Sequence, residues 1–137
     1  MKKDFDKWNK RKQQLHNSGS KVYAHPREVW WCSFGVNIGA ETDGGDKNFE
    51  RPALILRVYN KETMLALPIT GKAKNDQFHY KITITSKKSN TKEIETKDVW
   101  IKLTQARVVS NKRLLRKVDM ISEEEFEKIG LSFRRFI

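Results

Sequence analysis

The stretch FERPALILRVYNKETMLALPIT, residues 49–70, contains two apolar runs separated by a short polar segment. The runs at 52–58 and 63–69 have the length and the Leu, Ile and Val content of strands, so they predict an antiparallel hairpin. In a hairpin, the start of the first strand lies beside the end of the second. Arg51 and Thr70 are therefore expected to be neighbours at one end of a sheet.

An arginine and a threonine at the edge of a sheet can together bind a phosphate. The guanidinium group is planar and permanently charged, and it donates several hydrogen bonds at once. Two polar segments, a loop with four glycines at 35–50 and another at 71–78, flank this end of the hairpin. Loops longer than about 12–15 residues often carry function. Spacing alone also allows a surface ion pair and a threonine that only ends a strand.

The rest of the chain predicts a mainly β (α+β) fold. Further strands are predicted at 28–34, 79–85 and 98–103, and residues 106–110 could extend the pairing. Short strands with mostly local connections are typical of a small, strongly curved antiparallel sheet or barrel.

Two segments after these strands predict helices. Ser122 followed by Glu125 has the spacing of a capping box. The apolar residues that follow recur with helical period and form one stripe: Phe126, Ile129, Phe133 and Phe136. A short helix is also predicted at 111–117.

The composition of the chain limits the classes of function and the kinds of site that it can have. The chain has 137 residues and a net charge of +11, which suits one domain with a polyanionic partner. No run approaches the length of a membrane span and no signal peptide is recognisable, so a cytoplasmic location is expected. The single cysteine, Cys32, excludes an internal disulfide and is expected to be buried and inert. The histidines lack metal-ligand spacing, so neither a metal nor another cofactor is expected.

Residues 1–26 are predicted to form a basic helical arm that precedes a barrel domain at 27–137. The arm has seven basic and two acidic side chains, and Phe5, Trp8 and Leu15 lie near one side of the predicted helix. The arm could extend the contact with a nucleic acid, or it could pack its apolar side on the barrel. Packing is favoured, because large apolar residues on one side are unexpected in a fully solvated arm.

The motifs and their order resemble the MazF/PemK family of toxin endoribonucleases from type II toxin–antitoxin systems. A first strand EVWWCSF at 28–34 precedes GAE at 39–41, and RPALIL follows at 51–56. PIT at 68–70 closes the next strand, and LTQARVV at 103–109 resembles the last family motif.

The resemblance implies a small SH3-like antiparallel barrel of the MazF/PemK/CcdB-like type, commonly a homodimer. It implies metal-independent cleavage of single-stranded RNA, in which the ribose 2′-OH attacks its own phosphate and leaves a 2′,3′-cyclic phosphate. Such cleavage of mRNA inhibits translation and growth. The resemblance also implies a cognate antitoxin whose acidic, disordered tail covers the RNA groove.

The same resemblance assigns roles to residues of this sequence. Arg51 would stabilise the charge of the transition state, and Thr70 would donate a hydrogen bond to the phosphate. Glu41 would orient the loop or the 2′-OH, and Gln105 could read a base edge. The remaining candidates are loop lysines that could follow the RNA backbone: Lys47, Lys72 and Lys74.

A different class of function stays open. SH3-like barrels also bind without catalysis, so a nucleic-acid-binding module or a topoisomerase-inhibiting relative is the alternative. The loop between Glu41 and Arg51 is longer than is usual in the family. The basic arm at 1–26 is an addition to the family pattern. Both departures leave the preferred RNA sequence open.

Overall fold

A computed structural model describes most of the chain, namely residues 2–19, 22–45, 49–87 and 93–137. The strands are β1 (Glu28–Ser33), β2 (Glu50–Val58), β3 (Thr63–Thr70), β4 (His79–Lys87), β5 (Ile94–Lys102), β6 (Arg107–Ser110) and β7 (Leu114–Met120). The helices are α1 (Phe5–His16) and α2 (Glu123–Arg134), and a 3₁₀ turn at Asn111–Arg113 separates β6 from β7.

The strands form one curled antiparallel sheet in the order β4-β5-β3-β2-β1-β7, and β6 pairs with β3. The curl originates in β3, whose first half pairs with β6 and whose last two residues pair with β5. At the two ends of the strand order, the amide of Thr85 in β4 donates to the carboxylate of Asp119 in β7 at 2.8 Å. The result is a half-barrel with a helix at each terminus of the chain, which confirms the predicted fold.

Helix α2 covers one opening of the half-barrel. Its side-chain cap is the predicted one, because the Ser122 hydroxyl accepts from the amide of Glu125 at 3.2 Å. Ile129 is fully buried in the core. The other members of the predicted stripe pack against that core: Phe126, Phe133 and Phe136.

The structure corrects two of the predicted elements. A helix at 111–117 is wrong beyond the 3₁₀ turn, since β7 begins at Leu114 and pairs with the open edge of β1. The fifth strand begins at Ile94, four residues before the predicted start. In both cases, backbone pairing with a neighbouring strand extends regular structure into a sequence with weak local pattern.

The thiol of Cys32 is buried in β1, as predicted. Burial raises the pKa of Cys32 to about 12, although the charges of Arg113 and Arg107 act to lower it. The thiol is therefore protonated and unreactive at neutral pH.

Helix α1 packs on the half-barrel through Trp8 and Leu15, which are 5% and 8% exposed. The Trp8 ring lies 5.5 Å from the ring of Phe49 and directly on Gly35. The predicted packing is confirmed for these two side chains and wrong for Phe5, which is 51% exposed. The domain boundary after residue 26 stays a prediction. Neither helix of the described residues has the length and apolarity needed to cross a membrane.

Glu28 begins β1 and is a buried acidic residue at the junction of three segments. Its carboxylate accepts hydrogen bonds from the amide of His25 at 2.6 Å and the indole of Trp30 at 3.1 Å, and it pairs with Lys117 of β7 at 3.1 Å. Burial raises the pKa of Glu28, but these hydrogen bonds and the Lys117 charge outweigh it and lower the pKa. The folded state therefore stabilises the ionised carboxylate.

The first prediction concerns this carboxylate. The free energy of unfolding should include a Glu28 contribution that is complete above the ordinary glutamate pKa of about 4.3 and is lost as the pH falls through the lowered pKa. In Glu28→Gln this part of the acid sensitivity should disappear, and stability at neutral pH should fall by about 1–3 kcal/mol. Urea unfolding over a series of pH values measures both effects.

The control is Glu124→Gln. Glu124 is exposed on α2, and its ion pair with the exposed Lys128 is long, at 3.8 Å. That variant should follow the wild-type pH dependence. Acid sensitivity that is the same in Glu28→Gln as in the wild type would contradict the role of Glu28.

Candidate functional site

The predicted juxtaposition of Arg51 and Thr70 is present at one end of the sheet. The β2–β3 register pairs Ala53 with Pro68. Continuing the same antiparallel register by two residues would bring Arg51 opposite Thr70. The Arg51 Nη1 donates to the carbonyl of Ile69 at 3.1 Å, which holds the guanidinium at the end of β3.

The Arg51 guanidinium is held on two sides by backbone oxygens. Besides the Ile69 bond, its Nε donates to the carbonyl of Asp43 at 2.6 Å. As far as the described residues show, the remaining N–H groups of the fork stay available to a ligand. Burial lowers the pKa of Arg51 and the Asp43 carboxylate raises it, and an arginine remains charged at neutral pH in either case.

The Thr70 hydroxyl is a second hydrogen-bond donor at this end of β3. Thr70 is 6% exposed, and its Oγ1 accepts from the amide of Lys72 at 3.2 Å. Because this bond uses a lone pair, the hydroxyl hydrogen remains available for a hydrogen bond of its own. Lys72 and Lys74 follow in the exposed loop after β3.

Lys102, at the end of β5, is a site residue that sequence reasoning missed. Strand β5 pairs with β3, and Trp100 lies opposite Thr70. This pairing brings the end of β5 to the site. The Lys102 Nζ donates to the hydroxyl of Thr42 at 3.2 Å.

The environment of Lys102 is strongly cationic. Burial lowers the pKa of Lys102, and the positive charges of Arg51, Lys74 and Lys72 lower it further, against the opposing effect of Asp43. Three cations are thus close enough to disfavour the charged form of Lys102. A negatively charged ligand would relieve that repulsion.

Glu41 and Gln105 lie in an adjoining cleft of about 240 Å³, which is further lined by Asn37, Thr42, Ala106 and Arg107. The Gln105 Oε1 accepts from the amide of Thr42 at 3.4 Å. The Glu41 carboxylate accepts from the amide of Ile38 at 2.9 Å, and its own amide donates back to the Ile38 carbonyl at 3.1 Å. Glu41 therefore lines the cleft while its carboxylate closes a turn in its own loop.

The structure thus joins most of the predicted residues through one loop. Arg51, Thr70, Lys72 and Lys74 lie at the end of the β2–β3 hairpin. Residues 42 and 43 connect that group to the cleft that contains Glu41 and Gln105. The remaining candidate, Lys47, lies outside the described residues. Within the described residues, no three His, Cys, Asp or Glu side chains are grouped as metal ligands would be.

Comparison with known proteins identifies the family and the fold. A family model described as "PemK-like, MazF-like toxin of type II toxin-antitoxin system" matches residues 25–137. The structure is similar to that of the Mycobacterium tuberculosis toxin MazF-mt6, with a TM-score of 0.57, 10% identity and coverage of 80% of this chain and 95% of that chain. It is also similar to an endoribonuclease in complex with its cognate antitoxin from a mycobacterial species, with a TM-score of 0.52, 11% identity and coverage of 82% and 93%. The comparison with curated proteins gave no match.

The second prediction tests the cationic site with single-stranded DNA, which lacks the 2′-hydroxyl needed for internal cleavage. Lys102→Met should weaken the binding of a single-stranded DNA oligonucleotide and flatten its salt dependence by roughly 0.7 in log–log slope for one lost phosphate contact. Fluorescence anisotropy at several salt concentrations provides the measurement.

Lys61→Met is the matched control, because Lys61 is an exposed lysine in the turn at the opposite end of the β2–β3 hairpin. Its salt slope should equal that of the wild type. If Lys102→Met and Lys61→Met give the same slope, Lys102 does not belong to the site.

Proposed function

The chain belongs to the PemK-like, MazF-like toxin family of type II toxin–antitoxin systems, whose members are endoribonucleases, and we propose that it cleaves single-stranded RNA. The observation that carries this proposal is the position of the Arg51 guanidinium, which bonds the carbonyl of Ile69 next to Thr70 at the end of the hairpin and lies close enough to Lys102 to affect its charge. This arrangement offers hydrogen-bond donors and positive charge to one phosphodiester group.

The proposed reaction is an internal transesterification. The ribose 2′-oxygen attacks the adjacent phosphorus and the bond to the 5′-oxygen breaks. The 2′-hydroxyl loses its proton and the 5′-oxygen gains one, so the products are a 2′,3′-cyclic phosphate and a 5′-hydroxyl. Since the nucleophile belongs to the substrate, the protein has to align the phosphate and stabilise its growing negative charge.

Arg51 and Thr70 are the proposed catalytic residues for this charge stabilisation. The carbonyls of Asp43 and Ile69 hold the guanidinium before the substrate arrives, so little reorganisation is needed in the transition state. The permanent charge makes Arg51 a donor to the non-bridging oxygens and a poor base. The Thr70 hydroxyl would donate to a second oxygen, and Lys102 would add positive charge.

The adjoining cleft would bind a neighbouring nucleotide. Gln105 lines it and is proposed to read a base edge. Glu41 is proposed to act mainly through its loop, because its carboxylate is bonded to the Ile38 amide. The loop lysines proposed to contact RNA phosphates are Lys47, Lys72 and Lys74.

The same proposal includes the partners of the family. The similar mycobacterial endoribonuclease was solved with its cognate antitoxin. A basic, loop-lined edge is complementary to an acidic disordered segment, so we propose an antitoxin that covers this site. We also propose that the protein forms a homodimer in the cytoplasm. Its cleavage of mRNA would inhibit translation and growth.

The alternative is a nucleic-acid-binding or topoisomerase-inhibiting module without nuclease activity. Such a module would need the cationic surface, but it would not need an arginine held by two carbonyls beside a threonine hydroxyl. Binding of RNA without cleavage would favour this alternative.

The third prediction addresses the catalytic pair. Arg51→Ala should lower the rate of RNA cleavage by on the order of 10²–10³, as expected for the loss of one preorganised donor. Thr70→Val, which replaces only the hydroxyl by a methyl group, should also lower the rate while retaining the fold. Single-turnover cleavage of a fluorescent oligonucleotide measures the rates, and circular dichroism verifies folding.

Arg57→Ala is the control, since Arg57 is exposed on the same strand as Arg51. This variant should cleave within about threefold of the wild-type rate, because it removes no contact to the transition state. If Arg51→Ala cleaves RNA at a rate in the same range as the control, Arg51 is not a catalytic residue.

The fourth prediction addresses the reaction products. Cleavage should continue in excess EDTA, because the nucleophile is the substrate's own hydroxyl and the charge is stabilised by protein donors. Mass spectrometry should find a 2′,3′-cyclic phosphate, and a 2′-deoxy nucleotide at the cleaved position should block the reaction. Products with a 3′-hydroxyl and a 5′-phosphate would instead indicate metal-assisted hydrolysis.

A further inference from the structure

We infer that Lys3, in the segment before α1, is a positioning residue for Arg51 and acts through the loop at residues 35–45. The catalytic consequence of this inference rests on the proposed function, whereas its structural part does not. Lys3 lies in the basic arm, outside the residues that the family model matches. The inference therefore gives the arm a role in the active site of this chain.

The Lys3 ammonium group connects three points of the loop. Its Nζ donates to the carbonyl oxygens of Asn37 and Gly39, the latter at 2.9 Å. It also lies 3.1 Å from the carboxylate of Asp43. An ammonium group has three N–H donors, and these acceptors can use all of them. With 23% of its side chain exposed, Lys3 is largely shielded by the loop that it binds.

Asp43 transmits this contact to the guanidinium. Its carboxylate accepts from the amide of Asn37 at 2.6 Å as well as from Lys3, and its backbone carbonyl accepts from the Nε of Arg51 at 2.6 Å. A single residue therefore separates Lys3 from Arg51. Movement of Asp43 would move the carbonyl that fixes the orientation of the Arg51 fork.

A second contact anchors the arm at the base of the same loop. The Trp8 ring packs on Gly35, which has a φ of +76°, and a Cβ at this position would lie 2.0 Å from the ring. The loop is closed nearby, because the amide of Gly35 donates to the carbonyl of Phe49 at 3.0 Å and that of Gly44 donates to the Gly35 carbonyl at 2.8 Å. Trp8 thus places the arm so that Lys3 reaches the far part of the loop.

Hydrogen bonds close the loop on itself, for example from the side-chain amide of Asn37 to the carbonyl of Thr42 at 2.9 Å, but its tip is weakly packed. Residues 38–41 are exposed, and a polar loop with so little buried surface gains little rigidity from packing. The Lys3–Asp43 ion pair is partly buried and joins only the arm to the loop, so we expect it to add little to the stability of the sheet. We therefore expect Lys3 to keep the loop ordered and Arg51 correctly oriented. Its effect on the thermal stability of the whole protein should be small.

The fifth prediction tests the structural part by hydrogen exchange in the full-length protein. In Lys3→Met, the amides of Asn37 and Gly44 should exchange about tenfold faster as the loop opens locally, while β2 and β3 and the melting temperature stay unchanged. Lys2→Met is the matched control, because Lys2 is the exposed neighbouring lysine. Wild-type protection of the loop in Lys3→Met would overturn the inference, whether or not the protein cleaves RNA.

Kinetics test the catalytic part. Since small displacements of a catalytic group cost up to about 10²-fold, Lys3→Met should lower kcat about 10- to 100-fold with KM nearly unchanged. Lys3→Arg supplies several donors from the same position and should restore most of the loss. An increase in KM at constant kcat would mean that Lys3 contacts RNA, and it would refute the positioning role.

The outcomes separate the two proposals. Cleavage by the wild type that is lost in Arg51→Ala but retained at full kcat in Lys3→Met supports the proposed function and overturns the positioning role. If the wild type cleaves no RNA, the proposed function fails. In that case the loop exchange in Lys3→Met and Lys2→Met decides by itself whether Lys3 orders the residues around Arg51.

Discussion

Antiparallel pairing of β2 with β3 is the constraint on which the rest of the structure depends. The register that places Ala53 opposite Pro68 also brings Arg51 to the end of β3, where its guanidinium bonds the carbonyl of Ile69 next to Thr70. A slip of one residue would turn the alternate side chains of a strand to the opposite face, so it would disrupt the core and the site together. The apolar residues of the hairpin therefore stabilise the sheet and, through the same register, position the two polar groups at its end.

The site concentrates positive charge where the protein offers little compensation. Arg51 and Lys102 are partly buried among other cations, and their pKa values are lowered, mainly by burial. Backbone carbonyls and the Asp43 carboxylate oppose this cost only in part. A phosphate group would supply the missing negative charge, so the site favours an anionic ligand.

The N-terminal arm is an addition that is integrated with the site. The family match begins at residue 25, so all of α1 lies outside it. Trp8 nevertheless packs at the base of the loop at 35–45, and Lys3 binds the part of that loop next to Arg51. The loop at 35–45 thus has an element outside the family match to hold it.

Local sequence was sufficient for the hairpin, for the capped C-terminal helix and for the adjacency of Arg51 and Thr70. These features depend on side-chain period, on turn residues and on neighbouring segments of chain, all of which are visible within about 20 residues. Strand β7, Lys102 and Lys3 could not be found in this way. β7 exists because β1 has an edge to pair with, and Lys102 reaches the site because β5 pairs with β3. Lys3 meets the loop because the arm packs at the base of that loop through Trp8. Each depends on contacts between distant segments, and those contacts are decided by which edges and surfaces the assembled sheet leaves open.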